Sequence, residues 1–357
     1  MRTLGLFFFL LLEINLSGQT ARHYSNEFLN IGVDARALGM GKAVIARSTD
    51  VTAGYWNPAL LYQVQEQQIA LMHAAYFANI AQYDYMGYAK PIDQNTSLSI
   101  SLIRFGVDNI MNTTRLIDGE GNIDYDRITY FSTADYALNF SLGRKKVWKD
   151  LDLGLTAKII YRHIGKFASG YGFGFDIAAA YQFKKWNLGL VIRDVTTTYN
   201  YWSINEDELE SIKQSIPGQN QETPNSVELS LPKIQLGIHR NFHLKSHWEL
   251  SAEIDLYSRF YRTSSIISSD ALSIDPAIGL EFQYYKMAFL RLGVNNFQQE
   301  DFYGEKELSF QPNAGLGFKY KGISLNYALT NIGSDGFFSH VFSLKINLDR
   351  FLKPKKN

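Results

Sequence analysis

The chain has no cysteine. That excludes a disulfide framework and a thiolate metal site, and leaves no residue for lipoprotein attachment after the leader. It also has no excess of either charge. Its 35 basic residues face 35 acidic ones, so no nucleic-acid surface is expected. Beyond the leader, no stretch approaches the roughly 18 apolar residues of a membrane-spanning helix. The chain does hold many aromatics, with 22 Tyr and 24 Phe. It also holds a long series of short segments with a two-residue period.

The first residues are Met1, Arg2 and Thr3, followed by the apolar run Leu4 to Leu12 and small residues near Ser17 and Gly18. A basic start, a short apolar core and small residues read as a secretory signal peptide over 1–18. A retained amphipathic anchor or a buried strand is the alternative. Residues 19–62 follow as a lead-in and plug, with residues 28 to about 62 rich in Ala and Gly and free of sustained alternation.

Strict alternation then begins. Leu151, Leu153, Leu155, Ala157, Ile159 and Tyr161 share one parity, whereas Asp152, Thr156, Lys158 and Arg162 share the other. This is the pattern of a strand with two different faces. It predicts fourteen strands at 67–77, 82–90, 95–105, 133–142, 151–163, 171–183, 186–194, 231–240, 247–258, 276–285, 287–297, 311–320, 322–331 and 338–348. A strand of about eleven residues tilted near 40° rises about 28 Å, which matches the apolar thickness of a bilayer.

The connections carry a separate signal. Those at 91–94, 143–150, 184–185, 241–246, 286 and 321 are short and polar. Those at 106–132, 195–230, 259–275 and 298–310 are longer. Short periplasmic turns alternating with long outer loops are the habit of outer-membrane barrels. The expected fold is therefore all-β, a transmembrane antiparallel β-barrel of about fourteen strands over 63–348. An N-terminal plug precedes it and a basic tail, 349–357, follows it.

The faces agree. One parity carries runs such as Phe173, Phe175, Ile177, Ala179 and Tyr181, or Trp248, Leu250, Ala252, Ile254 and Leu256, with no charge. A lipid-facing Lys or Arg near the midplane would cost roughly 2–4 kcal/mol. The other parity carries Lys158, Asp176, Arg193, Glu253, Asp255, Glu281, Arg291, Lys319 and Lys345, which are assigned to the lumen. Tyr161, Tyr181, Tyr284 and Tyr320 fall near strand ends, where an interfacial girdle is expected. His73 and Met86 spoil a clean face assignment for the first two strands.

Motifs for chemistry are weak. Gly39-Met40-Gly41-Lys42 lacks the later Gly-Lys-Ser/Thr of a phosphate loop, and close packing of a compact plug explains its small residues better. His239, His243 and His247 are spaced by four but straddle a strand–turn–strand, where their side chains need not converge on a metal. His163 is the one tempting rim base, and no G-x-S-x-G is present. No enzyme activity, metal or cofactor is expected. Ser203 followed by Glu206, Asp207 and Glu208 reads as the start of a loop helix over 203–213, ended by Pro217.

The residues Phe28-Leu29-Asn30-Ile31, Asp34-Ala35-Arg36-Ala37-Leu38-Gly39-Met40-Gly41 and Asp50-Val51-Thr52-Ala53-Gly54-Tyr55-Trp56-Asn57-Pro58-Ala59-Leu60-Leu61 closely resemble the opening of the PorV/PorQ family. Trp56-Asn57-Pro58-Ala59 is the most specific part, and Lys42 departs from the pattern. These are outer-membrane proteins of the type IX secretion system in Bacteroidota, related to the FadL long-chain fatty-acid channels. The resemblance implies a shuttle or attachment-complex component. Its partners would be the translocon, cargo C-terminal domains and outer-membrane lipid. The alternative is a FadL-like channel for a hydrophobic small molecule. Asp34, Arg36, Gly39, Gly41, Trp56, Asn57 and Pro58 are the plug and family-motif positions.

Overall fold

The computed structural model describes residues 26–117, 121–208, 210, 227–244, 246–302, 305–331 and 338–352. The leader, the lead-in to residue 25 and residues 353–357 of the tail lie outside them.

Alternating residues form strands wherever two neighbours satisfy each other's backbone. The first are β1 (Gln68–Tyr76), β2 (Ala81–Pro91), β3 (Thr96–Asn112), β4 (Thr129–Trp148), β5 (Leu151–Ile164) and β6 (Ala168–Phe183). Next come β7 (Trp186–Arg193), β8 (Thr198–Ile204), β9 (Val227–Ser230), β10 (Lys233–His243) and β11 (Trp248–Arg259). The rest are β12 (Ile267–Ser268), β13 (Ser273–Tyr284), β14 (Ala288–Phe302), β15 (Glu305–Tyr320), β16 (Ile323–Asn331) and β17 (Phe338–Asn347).

All pairings are antiparallel, and β1 closes on β17 from Gln68↔Asn347 to Ala75↔His340. The wall has fourteen staves. β7 and β8 form one stave, because both pair with β6. β9 and β10 form the next, pairing with β8 and β7. β12 is a short rim pair on β13.

The apolar parity points outward. Phe173, Phe175, Ile177 and Tyr181 are exposed, as are Trp248, Ile254 and Leu256. Along β6 the outward faces run from Tyr171 to Tyr181, about 26 Å of height at ordinary strand rise and tilt. At the inner rim, Lys184 lies over Phe183, Lys321 over Tyr320, and Arg240 between Trp186 and Phe242. This is a girdle that anchors a wall in a membrane interface.

Several sequence expectations need correction. The loop expected at 298–310 is largely strand, since β14 and β15 pair almost to the tip, and that at 106–132 is shortened at both ends, since β3 runs to Asn112 and β4 starts at Thr129. A hairpin satisfies its backbone whether or not its side chains alternate, so the upper staves, where polar and apolar residues mix irregularly, gave no strand signal. The stretch expected to be loop at 195–230 likewise contains β8 and β9. The turn expected at 143–150 is strand up to Trp148, with a bulge between Arg144 and Trp148. Ser203 belongs to β8, and Asn205 caps the loop helix instead, its Oδ1 accepting from the Glu208 N–H at 3.4 Å. The helix is described at 206–208 and 210; Leu209 and 211–213 fall outside the described residues. Lys319 sits exposed at the inner mouth rather than within the lumen. The tail begins as a turn, α3 (Asp349–Leu352), whose Arg350 pairs with Glu66 at 3.2 Å.

The core of the molecule is the plug inside the wall. Residues 28–66 thread the lumen through two short helices, α1 (Ala35–Gly39) and α2 (Ala53–Trp56), and a 3-10 turn at Pro58–Gln63. Val33, Leu38, Met40, Ile45, Trp56 and Leu61 are fully or almost fully buried there.

Candidate functional site

The plug is seated by its backbone. Three pairs of inward glycines stand side by side on neighbouring strands: Gly143↔Gly154, Gly189↔Gly237 and Gly279↔Gly293. A Cβ on Gly154 would lie 2.2 Å from the Pro58 carbonyl carbon. On Gly189 it would lie 2.5 Å from the Ile45 oxygen, and on Gly293 2.0 Å from the Met40 carbonyl carbon. Gly39 meets Gly315 and Gly41 meets Val294 in the same way. Each glycine pair is a window through which main chain touches main chain.

Side chains of the Trp56-Asn57-Pro58 motif then fix the plug's own shape. Trp56 Nε1 donates to the Val33 carbonyl at 3.0 Å. Asn57 Nδ2 donates to the Ile45 carbonyl at 2.7 Å, while its Oδ1 accepts from the Ala59 N–H at 3.0 Å. Pro58 opens the 3-10 turn, where a missing N–H costs nothing.

Charges latch the plug to the wall. Asp34 caps α1 and accepts from Ser343 Oγ at 2.7 Å and from Lys345. Lys345 also reaches Asp50 at 2.5 Å. Burial raises the Asp50 carboxyl, but Lys345 and Arg36 outweigh it and hold the group well below the usual carboxylate range. Glu281 gathers three guanidiniums: Arg47 at 2.5 Å, Arg291 at 2.6 Å and Arg36 at 3.5 Å. Glu253 accepts from the Ala46 N–H at 2.6 Å, and Asp255 from those of Val44 and Ile45 at 2.8 and 3.0 Å. Two wall carboxylates thus hold three successive plug amides, an anion in a backbone nest seen from the other side.

A second cluster lies across the lumen. Lys158 bridges Asp176 at 2.7 Å and Asp194 at 2.5 Å. Arg193 donates to the Tyr55 carbonyl at 2.8 Å and stacks over the Tyr55 ring. The lumen charges assigned by parity (Lys158, Arg193, Glu253, Asp255, Glu281 and Arg291) are all buried inside the barrel. Sequence reasoning did not single out the plug partners Arg47 and Asp50, nor Asp194 at the top of β7. It also passed over the glycine windows, although seven glycines on inward parities of otherwise regular strands were their visible mark.

Above the plug is a cavity of about 250 Å³. Leu29, Ile31, Leu38 and Trp56 supply its apolar floor. Lys42, Lys233 and Arg259 face Glu27 and Asp275 around its rim. Burial draws the half-buried Lys42 ammonium down to about 8. Its Nζ donates to the Asn30 carbonyl at 3.1 Å. Beside the cavity the wall is interrupted. The ladder between the staves stops at Arg193↔Lys233 and resumes at Thr198↔Ser230. Four residues on one side oppose Leu231 and Pro232 on the other, and Asp194 and Thr197 adopt positive φ. Pro232 has no N–H to offer a ladder.

The three histidines do not converge. His239 points inward to Asn187, His247 stacks on Tyr285, and His243 lies exposed at a strand end. No metal-binding cluster occurs among the described residues. His163 stacks on Tyr161.

No protein-family model matches this sequence, and no curated protein matches it. Solved structures do match. The toluene transporter TbuX of Ralstonia pickettii superposes with a TM-score of 0.53 at 11% identity, over 88% of this chain and 98% of that one. The toluene transporter TodX of Pseudomonas putida gives 0.53 at 13% identity, over 88% and 96%. At such identity the likeness concerns the fold. What they share with this chain is the closed antiparallel barrel of fourteen strands that the sequence predicts.

Proposed function

We propose that this protein, built on the fold of the toluene transporters, is an outer-membrane channel that admits a hydrophobic small molecule at its outer mouth. The observation that carries this reading is the cavity over the plug. It presents Leu29 and Ile31, with Leu38 and Trp56 packed beneath them, and rings them with polar groups. Drug-sized sites run to about 300–1,000 Å³. At about 250 Å³, this one suits a small apolar guest, a single aromatic ring or the end of an acyl chain.

Uptake of labelled toluene and of labelled long-chain fatty acid, in cells with and without the protein, tests it. Faster entry of either supports the channel, and equal rates overturn it. A binding assay adds a local readout: Trp56 fluorescence should respond to the guest, and the response should vanish in Trp56→Phe.

A second reading has its own support. The motif resembling PorV/PorQ supplies the latch itself, through Asp34, Arg36, Trp56 and Asn57. A lumen so fully bridged by charge favours a held plug over an open pore. On this reading the protein is a type IX secretion component that receives cargo C-terminal domains at its outer loops. Co-purification of translocon or cargo from native outer membranes would support it. Undiminished surface display of every cargo in a deletion strain would remove it.

A further inference from the structure

The inner end of the wall carries cations that the protein leaves without counter-charges. They gather on two neighbouring turns, one between β4 and β5 and one between β6 and β7. Lys149, Lys184 and Lys185 are exposed there, and Arg144 points outward from β4 just above them. Lys149 lies 5.3 Å over the Trp148 ring, and Lys184 lies 5.3 Å over that of Phe183. Among the described residues, none of these four cations has a carboxylate within 4 Å. The acids nearby are engaged elsewhere. Asp150 pairs with Lys146 at 3.0 Å, and Asp152 accepts from the Lys146 N–H at 2.8 Å. The exposed Asp93 of the β2–β3 turn feels Arg144 only from farther away.

Between the two turns the outer face is hollow. Arg144, Leu153, Ala179 and Leu190 stand side by side in one row across β4, β5, β6 and β7, and Ala179 is the short side chain of that row. Leu142, Leu155, Ile177 and Ile192 form the outward row above. The two rows line a groove of about 480 Å³, apolar except for Arg144 at its edge. Leu153 is the third residue of β5, so the lower row lies about 5 Å above the strand's inner end. Near that height a bilayer passes from hydrocarbon to headgroup. The Arg144 stem lies against apolar wall while its guanidinium reaches for the interface.

We propose that this groove and its cations bind one phospholipid of the membrane's inner leaflet, with an anionic headgroup such as phosphatidylglycerol. The first part of an acyl chain fills the groove over Ala179. The phosphate sits below it, between Arg144 and Lys149 on one side and Lys184 and Lys185 on the other. A guanidinium meets phosphate oxygens two at a time, whereas an ammonium acts as a point charge. The anionic headgroup follows from the charge balance. Four cations face no acid, and a zwitterionic lipid would bring a further cation among them. Basic clusters at a membrane surface select anionic lipids on this ground. The outer leaflet is excluded by depth, since the groove opens toward the inner rim. The site stands whether the barrel is a channel or a secretion component.

The full-length protein is purified in neutral detergent, stripped of lipid, and titrated with phosphatidylglycerol or with phosphatidylcholine of identical acyl chains. Native mass spectrometry counts the lipid retained. One phosphatidylglycerol per barrel is expected, held about tenfold or more tighter than phosphatidylcholine. In the variant Arg144→Gln, Lys184→Gln, Lys185→Gln that preference should fall to about twofold or less. Lys286→Gln with Lys321→Gln, on the opposite side of the inner rim, should leave it unchanged. Ala179→Leu, which fills the groove and keeps the cations, should weaken retention of phosphatidylglycerol, and inorganic phosphate should not displace the lipid. Equal retention of the two lipids by the wild type, a triple variant that keeps its preference, an equal loss in the Lys286 and Lys321 pair, no effect of Ala179→Leu, or displacement by inorganic phosphate each overturns the proposal. Heat-modifiable gel mobility shows that each variant is folded. If the triple variant is not, Lys184→Gln with Lys185→Gln, both on an exposed turn, reads the same loss.

Discussion

Glu281 shows how much one side chain carries here. It is 2% exposed and balances Arg47, Arg291 and Arg36. Removing one partner of a buried ionic set strands the others, at a cost of about 3–5 kcal/mol. Glu281→Ala should therefore unfold at markedly lower denaturant than the wild type, and Glu281→Gln, which keeps hydrogen-bond capacity, should lose less. The gel shift of the folded barrel with denaturant reads both. Lys42 adds a pH dependence. Its folded value is about 8 against an ordinary 10.5. Between these values the unfolded chain still holds a proton that the folded chain has shed. This contribution to stability therefore rises as pH climbs through that window and is flat below it. Lys42→Met should flatten the slope between about pH 8 and pH 10, measured by plug protection from protease.

At the scale of elements, the plug and wall depend on each other through the glycine windows. A strand glycine ordinarily weakens a strand. Here its missing Cβ is the space the plug's backbone occupies. Gly293→Val should leave the wall closed, because valine suits a strand, but it should eject the Met40–Gly41 segment. Overpacking costs about 1–3 kcal/mol, occasionally more. The expected result is rapid proteolysis of residues 26–66 with an intact barrel band, and a plug still protected would refute the account. The same scale explains the misplaced loops. The upper staves mix polar residues such as Asp108 and Gln298 irregularly with apolar ones such as Met111 and Leu308, so they keep the hydrogen-bonding of β-strands without a regular apolar rhythm.

For the molecule as a whole, lipid selects one face and the plug selects the other. Ile254→Arg on the bare wall should cost roughly 2–4 kcal/mol if the midplane surrounds it. The loss should shrink for the same change nearer the rim, and folding yield into vesicles measures the difference. The fourteen-stave count, most of the inward charges and most of the short inner turns were legible because a membrane enforces a two-residue rhythm on the staves it surrounds, though Lys319 and the turn at 143–150 were misplaced. The latch was only half legible. Parity placed Glu281 and Lys345 in the lumen, yet nothing local pairs Lys345 with Asp34, more than 300 residues away.

By itself, then, the sequence determined which face meets lipid on most strands, because exposing charge to hydrocarbon is costly; on β1 and β2, His73 and Met86 left it open. Only the tertiary structure decided which lumen charges meet, where the plug's backbone touches the wall, and that Arg144, Lys184 and Lys185 flank one groove. Those depend on register and closure, which bring together residues whose spacing along the chain holds no common period.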